Sequence, residues 1–103
     1  MKVKINQKIM GVDGLTPLPN PDKSTGKILI ELTLKDVCIN SLLSPVQGED
    51  RKKKIAKYEV YEKLRDAKIE VELTIEDLAL IKECNGIFQP QLLLGQCDRM
   101  LEK

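Results

Sequence analysis

One local pattern occurs twice in this chain and sets most of what it can become. Lys27–Val37 reads KILIELTLKDV and Lys68–Leu78 reads KIEVELTIEDL, at a constant offset of 41 residues. Lys27/Lys68, Ile28/Ile69, Glu31/Glu72, Leu32/Leu73, Thr33/Thr74 and Asp36/Asp77 are identical pairs. Each copy alternates apolar and polar residues, the period of a strand with one wet face. Each then places a Thr three residues before an Asp. The Thr hydroxyl accepts from the backbone N–H of the third helical residue and the Asp side chain answers it, a capping-box variant that opens a helix. Thr33, Asp36, Thr74 and Asp77 are therefore read as helix caps. Two units are too few for a solenoid. Two short strands that each feed a capped helix predict a mixed, helix-rich fold.

The flanking sequence fills in the rest. Lys2–Ile9 alternates in the same way and predicts a strand. Met10–Gly26 holds Gly11, Gly14, Gly26, Pro17, Pro19, Pro21 and the Asp13-Gly14 pair. Prolines fix φ and remove donors, so this stretch predicts an irregular hairpin-like connection. Lys27–Leu32 and Lys68–Leu73 predict two further strands. A helix from Thr33 carries Leu34, Val37, Cys38 and Leu42 on one stripe and ends at Ser44-Pro45. A long helix over Glu49–Ala67 has Glu49 and Asp50 in its first turn, where negative charge meets the positive end of the dipole. The helix from Thr74 is expected to stop at Asn85-Gly86, since both residues tolerate positive φ. Pro90 opens a last helix with Leu93, Leu94, Cys97, Met100 and Leu101 on its apolar side. Gly95 inside that helix predicts close approach of another backbone. The expected architecture is one α+β domain over residues 1–103, with two or three short strands packed with four helices. Residues 1–26 form the N-terminal strand and loop, and residues 27–103 the helix-rich core.

Composition enters as a filter on function. The chain has 103 residues and no His, with 17 Lys+Arg against 16 Asp+Glu. Without His there is no Ser-His or Cys-His nucleophile pair, no imidazole base and no His-ligated metal. A net charge of +1 argues against a general polyanion binder. No phosphate-cradling motif occurs. The three cysteines, Cys38, Cys84 and Cys97, are widely spaced in apolar stretches and read as buried thiols acting as small hydrophobes, which fits a reducing cytoplasm. Neither a signal peptide nor a membrane span is evident, so a cytoplasmic location is expected. No cofactor and no metal are expected.

Three surfaces remain as candidates. The long helix is apolar on more than one side, so Ile55, Tyr58, Val60 and Tyr61 form a candidate partner surface. Arg51, Lys52, Lys53, Lys54 and Lys57 form a candidate basic patch able to reach phosphates. Acidic residues share that helix and stacking aromatics are scarce, so nucleic-acid binding is the weakest reading. Glu70, Glu72, Glu76, Asp77 and Glu83 form a candidate acidic face, but no calcium-loop pattern accompanies it.

Leu32–Val37 followed by Asn40–Leu43, then Val71–Lys82, then Pro90 with Leu92–Gln96, resembles a group of small proteins encoded by tailed phages and prophages, generally without an assigned function. The resemblance spans roughly Gly26–Glu102. It implies a viral setting, a host-cytoplasmic location and a non-enzymatic accessory or interaction role, through a protein partner or self-association. The alternative is an inhibitor of a host defence or regulatory enzyme, with the acidic face mimicking nucleic acid.

Overall fold

The computed structural model describes residues 1–20 and 30–102. Within them, strand β1 (Lys2–Lys4) is followed by helices α1 (Leu34–Leu43) and α2 (Arg51–Asp66), strand β2 (Glu70–Glu72), and helices α3 (Ile75–Phe88) and α4 (Gln91–Leu101). β1 and β2 pair antiparallel, with Lys2 opposite Glu72, Val3 opposite Val71 and Lys4 opposite Glu70. The fold is α+β, with four helices and one two-stranded sheet among the described residues. No helix among them is long and apolar enough to cross a membrane.

Both capping boxes form. Thr33 accepts from the Asp36 N–H and Asp36 accepts from the Thr33 N–H; Thr74 and Asp77 repeat the arrangement. They start α1 and α3 at the residues their spacing requires. The N-terminal amides of α1 are satisfied a second way. Leu34 N–H donates to Gln7 O at 2.9 Å and Lys35 N–H to Ile5 O at 3.0 Å. The chain start thereby serves the donors that every helix leaves open.

The strands are shorter than the alternation suggested. Beyond Lys4 the first strand gives way to isolated bridges, Lys8 with Thr33 and Met10 with Pro17. Pro19 bridges Glu31 in the same manner. Pro17 and Pro19 have no N–H, so a regular ladder cannot run through them. Lys27–Leu29 of the expected second strand lie outside the described residues, as do Gly26 and Pro21. Ile69 is exposed because β2 begins one residue later. The connection after Met10 is partly a tight hairpin. Gly11 N–H donates to Thr16 O at 2.8 Å, Asp13 Oδ1 accepts from the Leu15 and Thr16 N–H groups, and Gly14 takes φ +71°. The Gln96 side chain holds this hairpin to α4, accepting from Met10 N–H at 2.7 Å and donating to Met10 O at 2.8 Å.

α1 is the central helix and packs against α2, α3 and α4. Its Leu34, Val37, Cys38 and Leu42 meet Val60 and Leu64 of α2, Ile81 and Cys84 of α3, and Cys97 and Leu101 of α4 in one core, with Val3, Ile5 and Ile9 from the N-terminus. All three cysteines are buried and free. Contact with the Cys97 thiol, together with burial, pushes the Cys38 thiol well above its ordinary range.

Two expectations about glycine are corrected. α3 does not stop at Asn85-Gly86 but continues to Phe88. Asn85 is fully buried and its Nδ2 lies 3.7 Å from Cys38 Sγ, so the core holds the helix through this point. Gly95 has no close neighbour: a Cβ there would meet nothing within 4 Å. α2 also starts later than expected. Asp50 is its N-cap, accepting from Lys53 N–H, and its first turn contains no acidic residue.

Candidate functional site

The face formed by α1 and α2 begins at the turn that joins them. Gly48 takes φ +80°, a conformation that suits a residue without Cβ, and directs the chain into α2. Asp50 caps the helix. Glu49 turns inward and meets Lys57 at 2.5 Å, with both side chains about 5–6% exposed. Lys57 therefore belongs to a buried ion pair and not to a surface patch. Lys53 reaches Glu83 on α3 at 2.6 Å. Arg51, Lys52 and Lys54 have no ion-pair partner among the described residues. They crowd the positive end of the helix dipole, where cations are disfavoured.

The four apolar candidates on α2 divide in the same way. Val60 is 3% exposed and part of the core, so it leaves the partner surface. Tyr61 packs against the core, and its ring centroid lies 5.6 Å from that of Tyr58 and 5.6 Å from the Arg65 guanidinium carbon. Ile55 at 41% and Tyr58 at 52% remain open. Leu43, at the end of α1, is 53% exposed and lines one depression with Tyr58.

Two depressions flank this end of α1. One, of about 320 Å³, lies between Leu43, Pro45, Lys54 and Tyr58. The other, of about 670 Å³, follows the outer side of α1 past Leu32, Ile39 and Leu93. They share Leu43, Ser44 and Pro45, so together they make one bent groove. Part of its polar rim is engaged in the fold. Lys35 Nζ donates to Arg65 O and Ala67 O at the end of α2, Ser44 Oγ donates to Asn40 O, and Gln89 Nε2 donates to Ser41 Oγ. What faces outward is mainly aliphatic.

The acidic candidates do not form an uncompensated face. Glu72 pairs with the N-terminal ammonium at 2.8 Å, Asp77 with Lys63 at 2.7 Å and Glu83 with Lys53 at 2.6 Å. Glu70 stands opposite Lys4 in the sheet, and Glu76 is exposed. Contact with the terminal ammonium holds the Glu72 carboxyl below its ordinary value. Burial raises that of Asp77, but the Lys63 and Thr74 hydrogen bonds outweigh it and the net shift is downward. Among the described residues no three His, Cys, Asp or Glu side chains are placed to hold a metal ion.

Sequence reasoning found Tyr58, Ile55 and the cations, but not the groove. Leu43 carries no motif and Pro45 reads only as the end of α1; the packing of α1 against α2 shows that they line one surface. No protein-family model, curated protein or solved structure matches the chain.

Proposed function

We propose that this is a non-enzymatic interaction protein that works through protein–protein contacts on its α1–α2 face. The observation that carries the reading is the pair Leu43 and Tyr58, exposed together on a groove of predominantly aliphatic lining, with Ile55 exposed one turn from Tyr58 on α2. Apolar surface gathered around a concavity on a small domain marks an interaction site. The resemblance to small tailed-phage proteins supports a viral accessory role, exercised in the host cytoplasm. The competing reading, inhibition of a host enzyme by acidic mimicry, has less support. Ion pairing engages three of the five carboxylates on which it depends.

Light scattering of the purified chain, alone and with proteins co-purified from its host, tests the proposal. The expected result is a complex that the double variant Leu43→Ser/Tyr58→Ser loses while keeping its helical circular dichroism. A monomer that recovers no protein, or a complex indifferent to the double variant, contradicts it.

A further inference from the structure

Taking the α1–α2 face as the contact surface, we infer that its groove receives a segment of a partner protein that carries apolar anchors with acidic residues at one end. Charge placement argues for this occupant. The chain matches several of its charges locally: Lys8 with Glu31, Lys63 with Asp77, Lys53 with Glu83. At the mouth of the smaller depression it does not. Lys54 lines that depression, Arg51 stands one turn before it on the same side of α2, Lys52 lies nearby on the other side, and none of the three has an ion-pair partner among the described residues. The only carboxylate lining this end, Glu49, is consumed by Lys57.

These cations also sit where the helix dipole opposes them, so an arriving anion relieves two unfavourable terms together. Beyond the cationic mouth the groove turns aliphatic at Leu43, Pro45, Ile39 and Leu93. Apolar anchors lying in a groove with a charged end is a recurrent mode of peptide recognition. Opposite charge at the rim mainly speeds encounter and fixes direction, while the buried anchors slow release. A nucleic acid suits this surface less well, because the cations are confined to one end and the remainder offers aliphatic contact without a row of stacking aromatics.

The test uses the full chain and a display library of short random peptides. Peptides rich in Leu, Ile or Phe with Asp or Glu clustered at one end are expected to be enriched. Their synthetic forms should lose binding to Leu43→Ser/Tyr58→Ser. Their affinity should fall about tenfold or more for Arg51→Glu/Lys52→Glu/Lys54→Glu and weaken with added salt. The triple change places negative charge at the helix N-terminus, which favours the fold, and melting curves of each variant verify this. Enrichment of neutral or basic peptides, or binding that the triple variant leaves unchanged, overturns the acidic assignment and leaves the contact surface standing. Failure to enrich any peptide overturns the groove as a peptide site, whereas light scattering of the full chain decides separately whether the face is a contact surface at all. Binding of a single-stranded DNA oligonucleotide that needs the three cations but not Leu43 and Tyr58 overturns the inference in favour of nucleic acid.

Discussion

Lys53 and Lys57 stand one turn apart on α2 and have opposite fates, and the difference lies in what each one faces. Lys57 is enclosed with Glu49, while Lys53 meets Glu83 in solvent, both side chains being more than 40% exposed. Removing one partner of an enclosed pair strands the other charge, at a cost of about 3–5 kcal/mol. An exposed pair contributes about 0–1 kcal/mol. Lys57→Ala should therefore shift the urea midpoint far more than Lys53→Ala, and similar shifts for the two would contradict this assignment. The sequence shows a run of cations and says nothing about which are enclosed. That depends on Glu49 turning inward after Gly48, a decision of the loop and not of the helix. Helical spacing places Val60 on one inward stripe with Ala56, Leu64 and Ala67, with Tyr61 alongside, and the core takes that side. It is the assignment of Val60 to a partner surface, and not the periodicity, that the packing corrects.

The helices were legible where short-range chemistry decides them. Thr33/Asp36 and Thr74/Asp77 fixed the starts of α1 and α3 because a capping box is complete within four residues. Their ends were less legible. Asn85-Gly86 carries a local stop signal, but the core contact of Asn85 with Cys38 overrides it. Gly95 suggested a packed backbone, yet it faces open space. Both glycines are exposed within helices, have no positive φ, and leave room for a methyl group. Gly86→Ala and Gly95→Ala should each stabilise the chain by about 0.5–1 kcal/mol, raising the thermal midpoint in calorimetry. A fall at either position would mean that the glycine is there for a contact the helix surface does not display. The strands were the least legible elements. Period-two alternation marked Lys2–Ile9 and Lys68–Leu73, but regular pairing covers only three residues on each side. Alternation reports which face is wet and not how far a partner strand runs alongside.

Across the whole molecule, balanced composition conceals an uneven charge arrangement. Carboxylates are mostly matched, and the ion pairs of Glu72 and Asp77 join the N-terminus to β2 and α2 to α3. Both carboxyls are held below their ordinary values of 4.5 and 3.8. The stability they contribute is present above those values and lost as pH falls through the lowered ones. Thermal midpoints should stay level from neutral pH down to about 5 and then drop below about 4. Asp77→Asn should begin from a lower midpoint and fall less steeply. A wild-type midpoint that rises on acidification would contradict the pairing.

The proposed contact lies at one end of the α1–α2 face, around Leu43, Tyr58 and the cations at the start of α2. Hydroxyl-radical footprinting of the full chain, free and in its complex, tests that claim most directly. Tyr58 and Leu43 should lose most of their oxidation on complex formation, while Val12 and Leu15 at the hairpin tip keep theirs. Protection of the hairpin tip with Tyr58 and Leu43 unchanged would place the contact elsewhere and contradict the account.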